Sequence, residues 1–185
     1  DETSAIDIDS ADLFVLHRFE FEQWCVKQFS ERSVIIRLPG LFGKYMKKNV
    51  IYDLLNKNRL EYINIETSFM WYPMDRICDD VERIISAFEQ GKISPRNPVV
   101  NLFPEPLSTF DLVSTLFPQH LEGIKENEAS KCAGPVYHIC TMLCKDLFKE
   151  SGDNYFLSKE HVLQRLKQFV ETYSTVIEGR SSSQL

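Results

Sequence analysis

The stretch Ser33-Val-Ile-Ile-Arg-Leu38, followed at once by Pro39-Gly40-Leu41-Phe42-Gly43, constrains this chain more than any other. It is short, β-branched and nearly all apolar, as expected of a strand buried on both faces in a parallel sheet. Pro39 and Gly40 then break it. Parallel strands need crossovers, usually helical, and the sequence downstream supplies them. Ile51, Leu54 and Leu55 predict a helix from about Asn49. Leu60–Ile65 and Ser68–Tyr72 read as two short strands. Asp75 can cap a helix whose apolar face is Ile77, Val81, Ile84, Ile85 and Phe88, and Gly91 ends it. Pro98–Leu102 is a further buried strand. Ser108 with Asp111 has capping-box spacing before a helix through Phe117. Residues 119–134 are polar, a loop or frayed helix. A last helix over 158–173 carries Val162, Leu166, Phe169 and Val170 inward, and 177–185 reads as a disordered tail. Ahead of the first strand, Ser10 or Asp12 can cap a helix bearing Phe14, Phe21, Trp24, Cys25 and Phe29. Strands alternating with helices specify an α/β architecture.

Composition narrows the function classes. The chain has 185 residues, enough for one core, and its 43% hydrophobic and 26% charged residues are those of a globular protein. A net charge of −6 argues against a nucleic-acid partner. No apolar run approaches the ~20 residues that span a bilayer, and none resembles a signal peptide. Together with five irregularly spaced cysteines, read as reduced thiols, this places the protein in the cytoplasm. Cys132, His138, Cys140 and Cys144 lack the paired spacing of a zinc site, so no metal is expected.

No Gly-x-Gly-x-x-Gly follows a strand, so the chain carries no dinucleotide cradle of its own. Gly40-Leu-Phe-Gly43-Lys44 is too short for a phosphate loop, and no Ser or Thr follows the lysine. The Pro39–Gly43 turn lies beyond the carboxyl end of a strand, where α/β sheets place ligands. Lys44, Lys47, Lys48 and Asn49 sit at a predicted helix start, where backbone N–H groups favour an anion. Arg37 ends a buried strand and needs a partner if enclosed. Trp71 and Tyr72 could stack on a base or pack in the core, and Asn101 and Ser108 read as structural. Tyr155-Phe-Leu-Ser-Lys159 spells Tyr-x-x-x-Lys, but it precedes the last helix and reads as a helix boundary.

The order of these segments carries a resemblance. Phe14-Val-Leu-His17-Arg18 is followed by Val-Ile-Ile-Arg-Leu-Pro-Gly-Leu-Phe-Gly and Lys-Lys-Asn-Val-Ile-Tyr-Asp-Leu-Leu. Then come Ser-Phe-Met-Trp-Tyr-Pro-Met-Asp-Arg, Val-Val-Asn-Leu and Glu-Pro-Leu-Ser. Over residues 1–173 this resembles the extended short-chain dehydrogenase/reductase family, in its NAD-dependent epimerase/dehydratase branch. The resemblance implies the C-terminal part of a Rossmann-like fold. Residues 1–45 would end the core, 46–175 would form mainly the substrate-binding part with a returning core strand, and 176–185 would be the tail.

It further implies NAD or NADP in a full-length protein, with no cofactor expected on this chain alone, and a nucleotide-sugar substrate. The chain would be the C-terminal, substrate-binding portion of an epimerase, dehydratase or reductase, inactive by itself and cut from a longer protein. Family members start this helix with Tyr-x-x-x-Lys, whose tyrosine moves the proton while hydride passes to or from the nicotinamide. Here those positions fall on Phe14 and Arg18. Arg18 keeps the positive charge and would face the cofactor. Phe14 can neither give nor take a proton, a loss of about 10²- to 10⁴-fold. His17, with an ordinary pKa near ~6.5, is the neighbouring substitute acid. The turn residues Pro39, Gly40 and Leu41 would lie against the nicotinamide, and Lys48 and Asn49 near the sugar diphosphate. The family often dimerises through this helix, so Phe19 and Trp24 belong to such a homodimer face or to the core. The alternative is a non-catalytic degenerate relative that binds a nucleotide sugar or a protein partner.

Overall fold

The computed structural model of the chain describes residues 1, 2, 4, 12–29, 32–96, 98–142, 145–148 and 154–181. It is mixed α/β, built on three short strand pairs. β1 (Ile35–Arg37) runs parallel to β5 (Val99–Asn101), with Ile36 opposite Val100. β2 (Gly40–Phe42) runs parallel to β4 (Trp71–Pro73), with Leu41 opposite Tyr72. β3 (Ser68–Phe69) runs antiparallel to β6 (Leu107–Ser108). Among the described residues the α-helices are α1 (Leu13–Phe29), α2 (Val50–Asn56), α3 (Ile77–Glu89), α4 (Thr109–Leu116), α5 (Leu121–Lys125) and α6 (Lys159–Ser181). One hydrophobic cluster runs through the centre, with Ile51, Tyr72, Ile84, Val100, Phe156 and Leu166 all fully buried. Among the described residues no helix is long and apolar enough to cross a membrane.

Where a local signal sets a helix, it sits close to its expected place. Asp12 caps α1, its Oδ1 accepting from the Val15 N–H at 2.9 Å. Ser108 caps α4, accepting from the Asp111 N–H at 2.9 Å. The Asp111 carboxylate also takes Lys159 Nζ at 2.5 Å.

Five expectations change. β1 is half-buried, not enclosed, since among the described residues only β5 pairs with it. Leu60–Tyr62 is a 3-10 turn and no strand. Lys57 (φ 51°) and Arg59 (φ 49°) turn the chain first. The carbonyls of Leu60 and Ile63 then accept from Asn127 Nδ2, and the Ile65 N–H donates to Ser130 Oγ, so side chains replace a ladder. Asp75 does not cap α3. It lies in a 3-10 turn (Met74–Arg76) and pairs with Arg165 Nη1 at 2.9 Å. α6 continues to Ser181, into the stretch read as tail, while 182–185 lie outside the described residues. Finally, α1 buries no residue: Phe14 is 63% and Phe21 65% exposed.

Glycine is required where β2 meets β4. A Cβ on Gly43 (φ 155°) would lie 2.8 Å from the Met74 Cβ, and one on Gly40 would lie 3.0 Å from the Trp71 ring. Behind this contact a polar group is fully enclosed. Asp80 accepts from the Tyr72 hydroxyl (2.8 Å) and from Arg76 Nε and Nη2 (both 3.1 Å). Burial, then Asp80 itself, pushes the Tyr72 hydroxyl far above the ordinary phenol pKa, so it remains a donor.

Breaking such a group strands a buried charge. Asp80→Asn is expected to lower the unfolding free energy by about 3–5 kcal/mol. Tyr72→Phe, which removes one hydrogen bond, should cost about 1–3 kcal/mol. Urea titration of both checks the ranking.

Lys159, then burial acting in the opposite sense, then Ser108 set the Asp111 pKa, with the net effect of lowering it below its ordinary 3.8. A depressed folded value means that the unfolded chain takes the proton more readily. The contribution of Asp111 is therefore complete above 3.8 and is lost as the pH falls through the lower folded value. The stability gap between the parent and Asp111→Asn should close in acid, measured as urea midpoints near neutrality and below that window.

Candidate functional site

Only Leu38 and Pro39 separate β1 from β2, so Gly40 and Leu41, expected in a turn, are instead the first two residues of β2, paired with Trp71 and Tyr72. Asn49 binds this region to α2. Its Nδ2 donates to the Leu41 carbonyl at 2.8 Å, and its Oδ1 accepts from the Tyr52 N–H at 2.9 Å. The cost is a backbone at φ 127° and ψ 175°, a region that side chains other than glycine rarely occupy. Tyr45 is also left-handed, at φ 70°. Both polar ends of the Asn49 amide are thus committed to the fold, and α2 is only seven residues long. Lys48 stands exposed beside it.

One residue further on, Val50 and Asp53 begin a hollow of about 290 Å³. Arg59, Tyr62, Asn64 and Phe69 also line it. Phe69 stacks on Tyr137 at 5.5 Å with an interplanar angle of 27°, leaving an aromatic surface beside a guanidinium. Arg59, Tyr62 and Phe69 had no sequence signal as a group, because they come from separate segments of the chain.

The residues of the first helix lie elsewhere. The Arg18 guanidinium stands over the Phe14 ring at 4.1 Å from its centroid, and both side chains are exposed. His17, next to them, is exposed. None of the three lines the hollow beside Asn49. The helix is joined to β1 through Arg37, whose Nε and Nη2 donate to the two Glu22 oxygens at 2.9 and 2.5 Å. That fork is the partner Arg37 needed.

Trp71 and Tyr72 are core residues, 4% and 0% exposed, and cannot present a face to a base. Asn101 is buried, its N–H donating to Glu2 Oε1 and its Nδ2 to the Cys140 carbonyl. Lys159 opens α6 and pairs with Asp111, while Tyr155 meets His138 Nε2 at 2.5 Å, so Tyr155 and Lys159 have separate partners. Among the described residues no three His, Cys, Asp or Glu side chains could hold a metal ion, and Cys144 lies outside them.

No family model and no curated protein matches the sequence. Among solved structures, the chain is similar to L-threonine 3-dehydrogenase from Trypanosoma brucei, at 12% identity and a TM-score of 0.47. The alignment covers 92% of this chain and 55% of that one, so the chain spans about half the length of that structure.

The double commitment of Asn49 makes a prediction about the fold. Asn49→Ala loses the cap and keeps the strained backbone, and should destabilise by about 2 kcal/mol. Asn49→Gly loses the same bonds but relaxes φ, and should cost less. Urea unfolding of the two variants reads the order.

Proposed function

We propose that this chain is the substrate-binding portion of an NAD(P)-dependent enzyme acting on nucleotide sugars, without catalytic activity of its own. The support is the hollow beside Asn49. An exposed guanidinium (Arg59) and two aromatic side chains (Tyr62, Phe69) line it, together with Val50, which follows the basic Lys44–Lys48 segment and Asn49 in the chain. A base stacks on the aromatic face, and Arg59 and Lys48 meet the phosphates. Asn49 is a positioning residue here: it holds the mouth of α2 against β2, while the ligand contacts fall to its neighbours.

A second reading is a non-catalytic relative of such enzymes that only binds. It draws on Phe14, which has no proton to transfer and is stacked on the one cation that would face a cofactor.

Calorimetry with UDP-glucose and UDP, using the chain as it stands, tests binding. Measurable affinity for both ligands is expected, with about a tenfold loss in Arg59→Ala and little or no binding of NAD(H). Tight NAD(H) binding, or nucleotide binding that Arg59→Ala leaves unchanged, would overturn the proposal. In a longer protein that includes a cofactor-binding half, Phe14→Tyr separates the two readings. Turnover that appears only with tyrosine supports the binding-only relative.

A further inference from the structure

A second hollow, of about 490 Å³, opens on the other side of Gly43. It lies at the carboxyl ends of β2 and β4, where the chain leaves both parallel strands, and α6 closes it. This is the position in which α/β folds present ligands, and its volume is that of a small-molecule site. Its floor is apolar. Phe42 and Phe169 meet with ring centroids 6.0 Å apart, and Met74 lies beside them. Its rim is polar, with Lys44 from the β2 side, Asp75 from the β4 side and Arg165 from α6.

The charges on this rim do not cancel. Lys44 and Arg165 are cations and Asp75 the one carboxylate, which leaves one positive charge on a protein whose net charge is −6. Asp75 holds Arg165 through Nη1 alone, at 2.9 Å, and is itself 70% exposed at the side chain. A guanidinium carries five N–H donors in a fixed fork, so Arg165 can keep Asp75 on one nitrogen and offer the other edge to a second carboxylate. Lys44 Nζ lies 4.9 Å from the Tyr45 ring centroid. The adjoining smaller hollow makes the contrast. It shares Asp75 and Arg165, but its further charges are Arg76, Arg83, Asp79 and Asp80, so three cations meet three anions.

We propose that the larger hollow binds a small organic monoanion, an aromatic or acyl carboxylate. The carboxylate sits on Arg165 and Lys44, and the apolar body lies on Phe42, Met74 and Phe169. One surplus positive charge matches a monoanion better than a diphosphate. The apolar floor favours a carbon skeleton over an inorganic ion. This site is separate from the one beside Asn49 and does not rest on the nucleotide-sugar reading.

The test is ¹H–¹⁵N NMR titration with phenylacetate, its uncharged analogue phenylacetamide, inorganic phosphate and UDP. Phenylacetate is expected to shift the amides of Gly43, Lys44 and residues 165–172, and phenylacetamide to bind at least about tenfold more weakly. Arg165→Gln should lose about tenfold for phenylacetate. Gln168→Trp, which fills the hollow without changing its charge, should abolish binding. Asp75→Asn should tighten it, because Arg165 is released. The proposal is overturned if phenylacetate causes no shift at millimolar concentration, if the amide binds as well as the acid, or if phosphate shifts the same amides as strongly as phenylacetate. It also fails if Arg165→Gln, with a folded spectrum, binds phenylacetate normally. Shifts from UDP confined to residues 50–69 would support the separate nucleotide site and leave this one to be judged on phenylacetate.

Discussion

A fully buried carboxylate organises the centre of this molecule. Asp80 lies one turn into α3, and water cannot solvate it. Its charge is met by Arg76 at the preceding position i−4 and by the Tyr72 hydroxyl on β4. That one group therefore fixes the angle between β4 and α3, the helix that follows it. Arg76 in turn lies 5.1 Å from the centroid of the Phe156 ring, which stacks on Tyr72. Ion pair, hydroxyl and two rings form a closed set. An enclosed ion pair is weak evidence for stability, since a hydrophobic replacement of similar volume can do as well. What it specifies is register: an α3 rotated by one residue would strand Asp80 in apolar surroundings.

From this anchor the rest of the fold follows outward. Tyr72 sets β4, β4 pairs with β2, and the pairing brings Gly40 beneath the Trp71 ring and Gly43 against Met74. Only then do the segments after the two strands come close enough to share a hollow with α6. On the other side of β2, the Leu41 carbonyl holds Asn49 and with it the start of α2. The hollow closed by α6 is built from the residues at the ends of this pair and would not survive a slip in its register.

Legibility in the sequence divides by distance along the chain. The caps at Asp12 and Ser108, the start of α2 near Asn49 and the inward face of α6 could be read because each is a pattern within one or two turns, whereas on α3 Ile85, expected inward, is 44% exposed and Asp80 is buried instead. So could the α/β class, since β-branched runs alternate with helical periods. Leu60–Ile65 misled for a physical reason: it has the apolar content of a strand, but its backbone groups are taken by Asn127 and Ser130, more than sixty residues on. Asp75 misled likewise. A capping residue and an ion-pair partner look alike until the fold brings Arg165, ninety residues away, beside it. The apolar pattern of α1 announced a helix correctly but said nothing of what covers it. The rims of both hollows join residues from separate segments, and no local spacing could have revealed them.

The attachment of α1 has a consequence for how the molecule breathes. This helix buries no side chain, and the fork between Glu22 and Arg37 ties it to the sheet. The core elements share one cooperative cluster, whereas α1 shares little of it. Its opening free energy is then lower than that of the core helices, since no α1 side chain is fully buried. Its amides should exchange with solvent long before those of α3 or α6, so that the chain unfolds from that edge while its centre remains closed.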